Sequence, residues 1–215
     1  MIIAIDGLAA SGKGTLARML ARHFDYAHLD TGLLYRAAGM AVIRTGGDPA
    51  DPAAALRAAL ALDPQAIADH DQDLRSAEAG QAASKVAAIP EVRAVLLDFQ
   101  RNFCARPPGG KAGAVLDGRD IGTVIAPDAR VKIFVTAKPE IRAARRAKEL
   151  RARGENVTDA AILADMQARD ARDQHRGVAP AVPAKDARLL DTSNIGITET
   201  FAQALAIVEE ASRQD

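Results

Sequence analysis

Cysteine is nearly missing from this chain, with Cys104 the only one among 215 residues. A lone thiol forms no intrachain disulfide and builds no cysteine metal cage. Net charge is missing too, because 28 Lys and Arg balance 28 Asp and Glu. A protein whose main partner is a long polyanion needs a net basic surface, so nucleic acid is not expected as a partner. No apolar run approaches the ~20 residues that cross a bilayer, and the chain opens on a strand pattern rather than a signal peptide. Internal repeats and low-complexity tails are absent as well. These absences lead to the expectation of a soluble, cytoplasmic protein without a membrane partner. The length suits one core domain with a small appendage.

What is present concentrates at the start. The apolar run Ile2–Ile5 leads into Asp6, then Gly7, Leu8, Ala9, Ala10, Ser11, Gly12, Lys13, Gly14 and Thr15. A glycine, four residues and then Gly-Lys is phosphate-loop spacing. Small residues let successive backbone N–H groups turn inward around a polyphosphate, and the lysine adds a mobile charge. Leu16, Met19, Leu20 and Phe24 follow at helical spacing, so a helix N-terminus faces the same anion. The strict motif has a hydroxyl where Gly14 stands, and here Thr15 comes one residue later. A glycine-rich turn could match this loose pattern by chance, but the strand before and the helix after argue for a nucleoside triphosphate site.

Five segments read as buried parallel strands: Ile2–Asp6, Tyr26–Asp30, Ala114–Asp117, Val131–Ala137 and Arg188–Asp191. Several are near-continuous in apolar residues, as when helices cover both faces of a sheet. Helical patterns between them predict an α/β fold, a three-layer core around a five-stranded parallel sheet. The expected core comprises residues 1–30, 113–145 and 185–215. Alanine-rich helical stretches at 31–45, 51–61, 75–88 and 90–103 form an expected substrate-binding insert over about 31–112. An arginine-rich, polar excursion over about 146–184 reads as a lid, with Gly154 ending one helix and Thr158 capping the next.

The charged residues cluster where such sheets collect ligands, at strand ends. Asp30, Thr31, Tyr35 and Arg36 follow the second strand. They suit a planar base or a phosphate monoester, or equally a helix cap with a surface charge. Asp117, Gly118, Arg119 and Asp120 follow the third strand. Asp117 would hold Mg²⁺ directly or through water, and Arg119 would neutralise phosphate. The alternative is an Asp–Arg salt bridge closing a turn. In the lid, Arg169, Arg172, Asp173 and Arg176 share one helical face. Arg142, Arg145, Arg146, Arg151 and Arg153 crowd another helix, where Glu140, Glu149 and Asp165 could simply balance them. Many arginines without an obvious general base favour transfer to a phosphate acceptor, whose second pKa of about 6 leaves it largely dianionic.

Together these segments resemble the cytidylate kinase family, the (d)CMP branch of the nucleoside monophosphate kinases, over nearly the whole chain. The resemblance rests on Gly7–Thr15, Leu29–Arg36, Ala82–Ala87 with Pro90 and Arg93, Asp117–Thr123 and Ala168–Pro183. Gly14 before Thr15 is the usual nucleotide-kinase form. The resemblance implies γ-phosphate transfer from ATP to CMP or dCMP with Mg²⁺, by a protein that works as a monomer. Gly7–Thr15 would cradle ATP, with Thr15 and Asp117 at the metal. Thr31, Tyr35 and Arg36 would contact the acceptor, Arg36 on its phosphate, and Asp117 would border it. Ser84, Arg93 and Asp120 would read cytosine, and Arg119 and Arg176 would hold the acceptor phosphate. Arg169 and Asp173 would face sugar and phosphate from the lid. The expected catalytic set is Lys13, Arg119, Arg145, Arg172 and Arg176.

One departure stands out. The family's insert usually carries a small β-sheet, whereas the stretch from Leu62 to Arg75 is about a dozen residues short of that pattern and lacks alternation. This keeps a broader pyrimidine or small-metabolite kinase in view. A nucleotide-dependent switch with a protein partner is the non-enzymatic alternative, and it leaves the lid arginines without a task.

Overall fold

The computed structural model describes residues 1–64, 67 and 73–213. Its five strands are β1 (Ile2–Gly7), β2 (Ala27–Asp30), β3 (Ala114–Gly118), β4 (Val131–Thr136) and β5 (Arg188–Asp191). They form one sheet in the order β2-β3-β1-β4-β5, every pair parallel, as the apolar runs predict. Tyr26 and Ala137, expected at strand ends, fall just outside. The register sets Asp30 level with Asp117, and Asp6 level with Gly118. Polar strand ends therefore line up along one edge of the sheet.

Helices cover both faces, which is why the central strands carry almost no polar residues until they end. On one face, α1 (Lys13–Phe24) and α8 (Ile197–Ser212) bring Leu16, Leu20 and Val208 against Ile3, Ile5 and Ile133. On the other, Leu97 and Phe103 of α5 (Pro90–Ala105) pack with Ala4, Leu116 and Ile121.

Between β2 and β3 the chain forms α2 (Thr31–Arg44), α3 (Pro52–Leu60), α4 (Ala77–Val86) and α5. These helices bury a cluster of their own that includes Leu34, Ala38, Ala83, Val86, Val92 and Leu96. Small residues bring the backbones together here. A Cβ on Gly39 would lie 2.7 Å from the Cβ of Ala82. No strand occurs between β2 and β3 among the described residues. Part of the shortened stretch, positions 65, 66 and 68–72, lies outside them, and the chain resumes in a 3-10 turn over Asp73–Arg75.

After β4, α6 (Pro139–Arg151) and α7 (Asp159–His175) form a hairpin closed by Ala147, Leu150, Ile162 and Met166. Gly154 turns the chain with φ of 83°, and the Thr158 hydroxyl caps α7 by accepting the Ala161 N–H at 3.2 Å. Among the described residues no helix is long and apolar enough to cross a membrane.

Candidate active site

The loop from Gly7 to Gly12 joins β1 to α1, and its shape depends on its first and last glycines. Gly7 has φ of 152°, and a Cβ there would meet the Val135 carbonyl oxygen at 2.2 Å. Gly12 has φ of 95°, a conformation that costs glycine nothing. Ser11 is buried beneath the loop, and its carbonyl accepts the Thr192 hydroxyl at 2.9 Å. Ala9, Ala10 and Gly12 through Thr15 face a cavity of about 710 Å³.

Asp117 reaches the same cavity from β3. Burial opposes its charge, but His28 Nε2, 2.9 Å away, and Lys13 hold its carboxyl below the usual range. Burial and the adjacent Asp117 push Asp30 the other way. Lys13 is lowered to about 8 by burial and by Arg119. An ionised carboxylate and the Thr15 hydroxyl beside a phosphate loop fit Mg²⁺, which prefers hard oxygens and takes few from protein. Among the described residues no group of three His, Cys, Asp or Glu could hold a metal by itself, so such an ion would lean on phosphate oxygens.

Arginines line the far wall of the cavity. Arg36, Arg119, Arg146 and Arg169 converge from α2, the β3 loop, α6 and α7. The guanidinium groups of Arg169 and Arg36 meet over Gly80, where an added Cβ would lie 3.1 Å and 3.6 Å from them. Burial, Arg169 and Arg146 push Arg36 down to about 9, and burial and Arg119 push Arg169 down to about 10. Cations crowded this way out of water are unfavourable until a polyanion joins them. Among the described residues the buried Arg169 Nε has no hydrogen-bond partner.

Beyond Arg119 and Arg169 lies a smaller pocket of about 40 Å³. Its wall carries Thr31, Tyr35, Ser84, Arg93, Asp120 and Asp173. Arg93 pairs with Asp120 and sits 5.4 Å over the Tyr35 ring. Arg176 Nη2 is 3.5 Å from the other Asp120 oxygen. Ser84 donates to Asp173 at 2.8 Å, and Arg119 Nε reaches the second Asp173 oxygen at 3.1 Å. Thr31 donates to the Asp117 carbonyl at 2.9 Å. Asp120 is therefore held between two arginines near the Tyr35 ring, and Asp173 between Ser84 and Arg119.

Most of the residues singled out from sequence meet in these two connected spaces. Gly7, Leu8 and Ser11 shape the loop without lining either one. Three arginines sit elsewhere than expected. Arg145 donates to the Thr192 hydroxyl and carbonyl at 2.9 and 2.6 Å and lines neither space. Arg172 spans Gln81 and Ser84, joining α7 to α4. Arg176 stands with the Asp120 group and not on the phosphate side, because the chain bends after α7 and its Nε donates to the Ala179 carbonyl at 2.5 Å. Sequence reasoning missed Arg18, Arg75 and Gln81, which line the large cavity, and Asp6, which accepts the Ile121 and Gly122 N–H groups at 2.8 Å each. Only Asp6 carried a signal, a charged residue closing an apolar strand.

Comparison with known proteins agrees with this geometry. A family model described as cytidylate kinase matches residues 3–210. A cytidylate kinase of Paramagnetospirillum magneticum is 61% identical over 207 residues, covering 96% of this chain and 97% of that protein. A cytidylate kinase of Rhodospirillum rubrum is 58% identical over 214 residues, covering 100% of each. A solved structure of an uncharacterized protein from Eubacterium ventriosum aligns with TM-score 0.53 at 15% identity, over 100% of this chain and 99% of that one, a likeness of fold.

Proposed function

This chain belongs to the cytidylate kinase family, and from that premise we propose that it transfers the γ-phosphate of ATP to CMP or dCMP, releasing ADP and CDP or dCDP. One observation carries the reading. The half-buried arginines Arg119 and Arg169 border both spaces, with the phosphate loop on one side and the Asp120 group on the other. This arrangement supports an order of donor, shared phosphate site and base site, as transfer between two bound nucleotides needs.

In this reading the loop N–H groups and Lys13 hold the donor phosphates. Arg36, Arg119 and Arg169 gather the acceptor phosphate and the charge that builds on the transferring group. The acceptor is largely dianionic near neutrality, so no protein base is needed. Mg²⁺, held by Thr15 and Asp117 directly or through water, would supply further positive charge on the donor phosphates. Asp120 accepts the cytosine N4 amine, while Arg93 and Arg176 donate to its ring acceptors. Uracil would turn an O4 acceptor onto the Asp120 carboxylate, setting two buried acceptors against each other. Asp173, steadied by Ser84 and Arg119, faces the sugar. Arg145 and Arg172 act as positioning residues, through Thr192 and through the α4–α7 contact. Every one of these groups comes from one chain, which supports a working monomer, and ATP as donor fits the cytoplasm. Residues 31–112 serve as the acceptor insert and 146–184 as the lid.

A coupled assay of ADP release with CMP, dCMP, UMP, AMP and dTMP tests the reading. CMP and dCMP should be the preferred acceptors. Preference for a purine monophosphate, or no turnover of CMP, would overturn it, and a UMP rate within a few-fold of CMP would favour a broader pyrimidine kinase.

A further inference from the structure

Asp6 is the penultimate residue of β1, one residue before the phosphate loop, and it lines neither of the two spaces. Its two oxygens accept the backbone N–H groups of Ile121 and Gly122 at 2.8 Å each, across more than a hundred residues of chain. These are the two residues that follow Asp120. The segment they begin, Ile121–Ile125, is a single π-helical turn, a form that by itself holds its backbone poorly. Asp120, just before it, has φ of −145° and ψ of 27° and no capping bond from its own side chain. Asp6 supplies the acceptors for the first two N–H groups of that turn, which have no helical partner of their own. It is 4% exposed, so water cannot substitute.

We propose that Asp6 is a positioning residue for acceptor selectivity: by clamping Ile121 and Gly122 it fixes the direction in which Asp120 presents its carboxylate to the base. The proposal rests on Asp120 being the base reader. Both arms of the clamp matter, because a carboxylate accepts two N–H groups whereas an amide or a protonated acid sets a donor against one of them.

Burial raises the Asp6 carboxyl to about 7, against the lowering effect of the two N–H bonds, with Asp120 adding to the rise and Arg119 reducing it. From β4, the Lys132 stem packs on Gly122, while its ammonium is 2.7 Å from Asp186. The clamp is therefore intact above about pH 7 and loses one acceptor below it.

The test is the ratio of kcat/KM for CMP to that for UMP, measured from pH 5.5 to 8.5. Titration of the acceptor phosphate cancels in that ratio. For the wild type the ratio should fall about tenfold as the pH drops through 7, and Asp6→Asn should hold it at the low value throughout, with ADP affinity changed less than about threefold. An Asp6→Asn ratio equal to the wild-type ratio at pH 8.5 would overturn the proposal, as would an Asp6→Asn ratio that still varies with pH. If Asp6→Asn does not fold, Asp6→Ser takes its place in the same comparison. Asp120→Asn separates the two layers. Absence of CMP turnover, or an unchanged ratio in Asp120→Asn, defeats the base-reader assignment. A reduced ratio in Asp120→Asn with normal behaviour in Asp6→Asn defeats only the clamp.

Discussion

Ser84 on α4 donates a 2.8 Å hydrogen bond to Asp173 on α7, although 89 residues separate them. Asp173 also takes Arg119 from the β3 loop at 3.1 Å. Burial opposes its charge, yet Arg119, Arg169 and the Ser84 hydroxyl keep its carboxyl below the usual range. Three separate parts of the chain thus meet on one carboxylate at the acceptor pocket. Ser84→Ala leaves one oxygen of that carboxylate without its donor, at about 1–3 kcal/mol. CMP affinity by titration calorimetry should fall about tenfold while ADP affinity stays unchanged. Equal CMP affinity in the variant would show that the contact does not organise the pocket.

Lys13→Met should separate donor from acceptor. Lys13 lines the large cavity and not the smaller one. Turnover is expected to fall by about a hundredfold or more, with the dissociation constant for CMP within about threefold of wild type. A comparable loss of CMP binding would place the lysine on the acceptor instead.

The arginine cluster should trade stability for activity. Arg169→Met keeps most of the side-chain volume and removes one of several mutually repelling cations. The melting temperature should not fall, whereas kcat/KM should drop by about a hundredfold. Inorganic phosphate should raise the melting temperature of the wild type more than that of the variant. A clear loss of stability would show that Arg169 is mainly structural.

Asp6 also makes a thermal prediction. Its folded carboxyl is raised from 3.8 to about 7, so between those values the folded state binds more protons than the unfolded one. Stability then decreases as pH rises through that window, with a slope of at most about 1.4 kcal/mol per pH unit from this group. Melting curves for Asp6→Asn should lack that component. Parallel curves for the two proteins from pH 4 to 7 would mean that Asp6 titrates normally.

Gly39→Val tests the close approach of α2 and α4. Its Cβ would lie 2.7 Å from the Ala82 Cβ and 2.9 Å from the Ala82 carbonyl carbon. Stability should fall by about 1–3 kcal/mol, read from chemical denaturation. KM for CMP should rise more than KM for ATP, because Ser84 rides on the displaced helix.

Much of this was legible in the residues. The strands announce themselves as short apolar runs that stop at aspartate, glycine or threonine, and the phosphate loop declares its neighbours on both sides. The charged strand ends at 30–36 and 117–120 and the α7 stripe do meet in one place. Helical periodicity says which residues share a face, but not what that face meets. The resemblance places Arg172 in the catalytic set and Arg176 on a phosphate, whereas only the folded chain shows Arg172 spanning Gln81 and Ser84 and Arg176 beside Asp120. His28 lay in plain view beside Asp30. Its bond to Asp117 depends on the β2–β3 register, which no spacing along the chain reveals. Asp6 escaped for a related reason, because a residue next to a known motif is read as part of that motif.

The strand order has a consequence for how the protein is made. β1 and β2 leave the ribosome first, yet they never pair with each other, since β3 lies between them. The partners of β1 are β3 and β4, which begin at Ala114 and Val131. While more than a hundred residues are being synthesised, the nascent chain has only its helices to assemble, among them α2 to α5 with their private cluster. The first-made strand must wait, unpaired and apolar, and the loop it carries takes its final shape only when the second half of the chain closes around it.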